Sequence, residues 1–323
     1  MRFTLFEPTA LSPHHLRHLA VTAEAVGFDS FALNDGTFQL AETRGHYPYS
    51  TDHRPNWDIR APFYEPLTVL PALAMTVPRL RFYTAVVKLP LHHPLLLAKQ
   101  VATAAIMSGD RFALGVGASW APEEYDYLGL DWTARAQLME ETVEALRLLL
   151  GGEPVSYHGQ HIDFGSVVAR PAPRRPVPIL FGGHGKPSLS RAARLGDGWI
   201  AGPLSSYEEL AELIAELRRL RRVAGRDWDR FEIHAGPPRG ALGADAYRRL
   251  DALGVTDAMV LPIDAGGELL MDEPTRQRLS GHPVTVADDP NALYDEQAPA
   301  TKVEAVTRFA STVIGTGLGR RDP

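Results

Sequence analysis

Four groups of residues in this chain have the types and spacing to do chemistry. The first is Gly182-Gly183-His184-Gly185-Lys186-Pro187-Ser188, a glycine cluster that follows a β-prone run and opens a helix. Free backbone N–H groups at such a junction, with the positive end of the helix dipole, suit a phosphate. A plain tight turn would use the same glycines. Leu180 stands where a Walker loop needs its first glycine, and Ser188 where a dinucleotide fingerprint needs its third, so neither motif is complete. The second group, Gly115-Val116-Gly117-Ala118-Ser119-Trp120, also ends a strand. Two glycines there let a planar group approach the backbone, or let a helix pack closely. Gly117-Ala118-Ser119-Trp120-Ala121 lacks the last glycine of a nucleophile elbow, which argues against a serine hydrolase. The third is Asp35, at the end of an apolar run, a candidate catalytic group for proton transfer or else a hydrogen-bond partner for the loop that follows. The fourth comprises the histidine pairs His14/His18 and His158/His161. No HExxH motif occurs and no carboxylate shares a face with either pair, so no metal is expected.

Such groups act together only if a scaffold converges on them. Apolar periodicity predicts strands at 3–8, 28–35, 80–87, 111–117, 178–182, 197–202, 230–236 and 256–263. Helices are predicted at 13–27, 66–77, 94–107, 133–150, 187–195, 206–223, 245–253 and 301–314. Pro94 suits a first helical turn, and helix 206–223 runs from glutamate to arginine as the macrodipole favours. Eight strands, each followed by a helix, predict an α/β protein, a (β/α)8 TIM barrel forming a single domain over 1–323. Insertions are expected at 36–64, after the second strand, and at 264–300, before the last helix, with a small hairpin at 154–165. Barrel enzymes gather their chemistry at the C-terminal ends of the strands. That rule selects Asn34-Asp35, Lys88, His92-His93, Ala118-Ser119-Trp120, Gly182–Gly185 and His234.

Composition narrows the function classes. The 323 residues are 45% hydrophobic and 22% charged, the profile of a soluble globular protein. With no cysteine, disulfides, zinc–thiolate sites and a cysteine nucleophile are excluded. A net charge of −6 argues against nucleic acid as a partner. The N-terminus does not read as a signal peptide, and no apolar run approaches the roughly 20 residues of a membrane span. A cytoplasmic protein with a small-molecule substrate is expected.

Several segments in order carry a family resemblance. They are PLLLAKQVAT at 94–103, SGDRFALGVGASW at 108–120, Glu123-Glu124-Tyr125 with Leu128-Gly129, and the Tyr157-His158-Gly159 turn. The stretch from Pro178 through Gly182-Gly183-His184 to Gly196-Asp197-Gly198-Trp199 completes the set. Together they resemble the bacterial luciferase-like superfamily, and the 94–129 block is most similar to its F420-dependent branch. The resemblance implies a TIM barrel binding coenzyme F420 or, alternatively, FMN, and often a homodimer. It implies a non-prolyl cis peptide at Ala85–Val86 and phosphate on the Gly182-Gly183-His184 backbone. Gly117, Ala118, Ser119 and Trp120 would line the ring or its side chain, and Lys186 and Arg191 would be exposed toward a polyanionic tail. The chain departs from the branch at Asp35-Gly36, where Asp-His is usual, and at Gly109-Asp110-Arg111, where Gly-Gly-Arg is usual. Loss of that histidine leaves the acid–base role open among His46, His53, His92 and His234. Tyr47, Tyr49, Trp57 and Tyr64 would shape the substrate pocket. The expected activity is hydride transfer between F420 and a small organic substrate. The alternatives are an FMN-dependent monooxygenase fed by a separate reductase, and a non-catalytic flavin-binding barrel.

Overall fold

A computed structural model describes residues 1–7, 12–50, 53–55, 63–238, 241, 243–261 and 299–318. Trp57 and most of the expected insertion at 264–300 lie outside the described residues. The strands are β1 (Arg2–Glu7), β2 (Ser30–Leu33), β3 (Arg81–Thr84), β4 (Val87–Lys88), β5 (Phe112–Gly117), β6 (Val155–His158), β7 (Asp163–Val167), β8 (Ile179–Gly182), β9 (Gly198–Ile200), β10 (Glu232–Ala235) and β11 (Asp257–Val260). The helices are α1 (Pro13–Val26), α2 (Pro66–Ala74), α3 (Pro94–Met107), α4 (Pro122–Tyr127), α5 (Arg135–Leu149), α6 (Lys186–Leu195), α7 (Tyr207–Val223), α8 (Gly243–Leu253) and α9 (Pro299–Thr312).

Parallel pairing runs β3-β2-β1-β11-β10-β9-β8-β5, and β3 pairs with β5 to close the ring. The expected (β/α)8 barrel is therefore present. The predicted third strand, 80–87, is split: the Ala85–Val86 peptide is cis, and β4 continues the strand beyond it, pairing with β5 through Val87↔Val116 and Lys88↔Gly117. The β6–β7 hairpin lies apart from the barrel, as its turn glycine predicted. Glu141 of α5 holds that turn by accepting the N–H groups of Gln160, His161 and Ile162.

Helix starts are written locally. Ser12, Glu65, His93 and Ser206 cap α1, α2, α3 and α7 through their side chains, three of them just ahead of a proline. Strand residues alternate between two cores. Phe3, Leu5, Phe31 and Phe82 pack against the helical layer, while Ala32, Tyr83, Ala113, Leu180, Ile200 and Met259 fill the barrel interior.

The N-terminal floor of the barrel is ionic. Arg2 forks onto Asp257 with bonds of 2.9 and 2.6 Å, and Arg81 reaches Glu232 at 3.1 Å. His234 belongs to this floor, which corrects its expected place at the active face. Its Nε2 lies 2.9 Å from Glu232, and its ring packs edge-on to Tyr83 with centroids 4.8 Å apart. The strand end at 235 lies beyond it, and the ring turns toward the carboxylates that begin β10 and β11. Burial alone would push both carboxyls up, but His234 and Arg2, with Arg81 for Glu232, hold them well below the usual range.

Candidate active site

At the opposite rim, β2, β4 and β5 deliver a polar cluster. Asp35, just past β2, accepts the backbone N–H of Lys88 at 3.2 Å and the hydroxyl of Thr37 at 3.3 Å. It thereby pins the long loop after β2 to the end of β4. The Lys88 ammonium makes a close ion pair with Glu124, and the Ser119 hydroxyl donates to the other oxygen of the same carboxylate. Ser119 is held in the left-handed region at φ 64°, and its Oγ also accepts the N–H of Ala121 at 3.2 Å. Tyr125 of α4 closes the turn by donating to Ala118 O at 2.6 Å. His92 lies beside Asp35, Glu65 and Lys88; burial lowers its pKa and the two carboxylates oppose that shift.

The paired glycines have a use the sequence did not reveal. A Cβ on Gly117 would lie 2.8 Å from Val86 Cγ2, and one on Gly182 would lie 3.1 Å from Val86 Cγ1. The absence of side chains on β5 and β8 thus makes room for Val86, whose isopropyl group sits between the two strand ends.

The loop after β8 is braced from three sides. Gly183 adopts φ 104°, which suits only glycine, and its carbonyl accepts the indole N–H of the fully buried Trp199 at 2.9 Å. The N–H of Gly202 donates to His184 Nε2 at 2.9 Å. That places the imidazole proton on Nδ1, 3.7 Å from Glu209. Burial lowers the His184 pKa, keeping this neutral tautomer in place. Arg191 corrects the expectation of an exposed basic residue, since it is 8% exposed. Its nearest polar side-chain neighbour is Ser188 Oγ at 3.5 Å, its Nε has no hydrogen-bond partner, and its neighbour Glu140 is engaged by Arg194 at 2.8 Å. Among the described residues no carboxylate is within ion-pair reach of this guanidinium. Lys186 is exposed, as expected.

The loop after β2 then crosses the mouth as an aromatic strap. Thr43 and Arg44 tie it to α4: Glu123 accepts Thr43 Oγ1 at 3.1 Å, Arg44 Nε at 3.1 Å and the Arg44 backbone N–H. Burial would favour the neutral acid, but these donors hold Glu123 below its ordinary value. Beyond the tie, Tyr47 meets Trp120 edge-on at 5.5 Å and Tyr49 meets His184 at 5.7 Å. A Cβ on Gly202 would stand only 2.4 Å from the Tyr49 ring. The strap therefore contacts the loops after β5, β8 and β9 at once.

Of the open acid–base positions, His46 and His53 form an exposed ring pair 5.2 Å apart on the strap, and His92 alone borders Asp35 and Lys88. Tyr64 packs against the outer core. Glu232, His234 and Asp257 lie close enough to share a metal ion, yet Arg2 and Arg81 already neutralise both carboxylates. The Lys88–Glu124 pair and the Glu123 tie were not foreseen. Two glutamates in a first helical turn read as favourable to the dipole, and only tertiary contacts reveal that both are buried.

Comparison with known proteins places the fold and the family. The chain is 39% identical over 242 residues to an uncharacterised protein of Mycobacterium tuberculosis, covering 75% of this chain and 83% of that one. It is 29% identical over 227 residues to an F420-dependent glucose-6-phosphate dehydrogenase of Tsukamurella paurometabola, covering 68% of this chain and 62% of that protein. The fold matches the coenzyme F420-dependent tetrahydromethanopterin reductase of Methanopyrus kandleri with a TM-score of 0.68 at 15% identity, over 98% of this chain and 99% of that one. Among the described residues no helix is long and apolar enough to cross a membrane. The family model for luciferase-like monooxygenases matches residues 1–239, and the chain belongs to that family.

Proposed function

We propose that this chain is an oxidoreductase that binds coenzyme F420 at the barrel mouth and moves a hydride between it and a small organic substrate. The observation that carries the reading is Arg191. A guanidinium buried midway along α6, with no ion-paired carboxylate among the described residues and Ser188 Oγ at 3.5 Å, is costly unless an anion joins it. A phosphate on the Gly182-Gly183-His184 backbone, which lies near Ser188, would supply that anion. Val86, Gly117, Ala118, Ser119 and Trp120 would hold the ring, and Gly182, Gly183 and His184 the phosphate arm. When bound, the deazaflavin supplies a carbon that accepts or releases hydride.

The chain's own groups do the rest. Tyr47, Tyr49 and Trp120 would keep bulk water off the ring, so that the charge developing during transfer meets fixed protein groups. Asp35 and Glu124 fix Lys88 at the rim. Support for F420 over FMN comes from the Tsukamurella relative, whose name states that coenzyme. The closed aromatic strap also suits the second reading, an FMN-dependent monooxygenase served by a separate reductase, because such chemistry needs the same exclusion of water.

The test is a fluorescence titration of cofactor-stripped protein with F420 and, separately, with FMN. Tighter binding of F420, weakened about tenfold or more in both titrations by Arg191→Met, is expected. Preference for FMN would move the assignment to the second reading, and binding of neither would remove both.

A further inference from the structure

We propose that Lys88 is the group that receives the charge developing on substrate oxygen, so that the substrate carries an oxygen on the carbon that exchanges hydride: a ketone or aldehyde in one direction, its alcohol in the other. This rests on the hydride-transfer reading above and adds to it the substrate class and the residue that recognises it.

The argument is one of hydrogen-bond capacity. The rim has several polar groups; His92 keeps a buried Nε2 without a hydrogen-bond partner, and most of the others have spent their donors. Ser119 donates to Glu124, Tyr125 donates to Ala118 O, and Thr37 donates to Asp35. The carboxylates of Asp35 and Glu124 have no proton to offer when ionised. His184 has its Nε2 occupied by Gly202 and its Nδ1 turned to Glu209. An ammonium has three donors. Lys88 gives one to Glu124, and the other two have no partner among the described residues. The side chain is 15% exposed, so it is held yet still reachable.

Placement supports the same role. Lys88 lies two residues beyond Val86, at the end of β4, and pairs in register with Gly117. It therefore shares the rim with the positions assigned to the ring, where the reacting carbon must come. Its backbone is fixed by Asp35 and its Nζ by Glu124, which removes most of the rotamer freedom a lysine would otherwise lose on engaging substrate.

The step balances. In the reducing direction the bound reduced coenzyme would supply the hydride that forms the C–H bond at the carbonyl carbon and would be left oxidised, while the π pair of C=O would move onto oxygen. Lys88 Nζ would give that oxygen its proton, and the neutral amine would regain one from the buffer. The oxidising direction reverses each transfer. Glu124 touches no reacting atom and is a positioning residue.

A phenol mimics the developing oxyanion and needs no turnover. The full-length chain, with and without F420 or FMN, is titrated with 4-nitrophenol while the phenolate absorbance is followed across neutral pH. The wild type is expected to bind the phenolate in preference to the phenol. Lys88→Met should weaken phenolate binding about 10- to 100-fold, the worth of a charge-assisted hydrogen bond. Lys88→Arg should rescue most of the loss, Lys99→Met should change nothing, and coenzyme affinity should stay within about threefold. Lys88→Met leaves Glu124 as a buried lone charge, so the double variant Lys88→Met/Glu124→Gln is measured beside it and should lose phenolate binding equally. Equal binding of phenol and phenolate by wild type, or unchanged phenolate binding in the double variant, overturns the proposal. Failure of F420 to bind would instead overturn the reading it rests on, and the coenzyme-free titration would still decide the role of Lys88.

Discussion

Replacing Trp199 by phenylalanine isolates the brace beneath the candidate phosphate loop. The indole is fully buried, and its N–H is the donor to Gly183 O at 2.9 Å. Phenylalanine keeps the aromatic contact but removes that donor and part of the ring volume. Losing the hydrogen bond costs about 1 kcal/mol, at the lower end because Gly183 is only half-buried and its carbonyl can recruit solvent. The smaller ring adds about 1–2 kcal/mol of lost packing. For 323 residues the unfolding entropy is about 0.7 kcal/mol/K, so the total of about 2–3 kcal/mol lowers Tm by about 3–5 °C. The functional effect should exceed what a global loss explains. Freed from Trp199, Gly183 no longer presents its N–H groups in one fixed arrangement, and affinity for F420 or FMN should fall by about three- to tenfold at a temperature where both proteins are fully folded. Differential scanning calorimetry and the fluorescence titration read the two effects separately. A Tm within about 1 °C of wild type would refute the packing argument; a Tm loss with unchanged coenzyme affinity would refute the claim that this bond shapes the loop.

Other expectations follow from the same geometry. The pKa values of His92 and His184 are lowered by burial, so both are neutral in the folded state, and the stability they carry is present above the unfolded value of about 6.5 and lost as pH falls below it. Tm should therefore begin to decline below about pH 6.5, and His184→Gln should flatten that limb. Glu232 and Asp257, held low, should add a second and steeper loss only below about pH 4. Asp257→Asn should cost about 2–3 kcal/mol, discounted for the partial exposure of Arg2, with coenzyme affinity unchanged; a change in that affinity would contradict the separation of floor from rim. Glu123→Gln should loosen the strap, seen as faster proteolysis near residues 43–50 and altered Trp120 emission, with little change in Tm. Zinc added to the wild-type protein should leave Tm unmoved, because Arg2 and Arg81 already occupy the carboxylates of the Glu232–His234–Asp257 group.

Strand and helix alternation was legible because apolar spacing differs by period between the two, and Pro94 and the glutamate-to-arginine gradient of 206–223 mark their own helices. The break in the third strand was legible only through family resemblance, since nothing in the local Tyr83–Val87 pattern departs from an ordinary buried strand. His234 was misplaced because position along a strand does not say whether a ring turns toward the floor or the rim; the carboxylates two residues before it and on the neighbouring strand decide that. Arg191 was read as exposed because the resemblance implied a polyanionic tail met by exposed basic residues, and its burial depends on α4, α5 and α6 meeting around it. Lys88 and Glu124 are 36 residues apart, and no periodicity links them.

The ionic floor has a meaning for how such a protein can change. Its charges cancel among Arg2, Arg81, Glu232 and Asp257 at one end of the barrel, and the groups proposed to face a ligand stand at the other. Chemical novelty and foldedness are therefore inherited through different residues. Randomising Tyr47, Tyr49, Trp120 and Lys88 in a directed-evolution library draws on positions that the floor does not need, so new substrate preferences can be sampled many times over before the chain loses its capacity to fold.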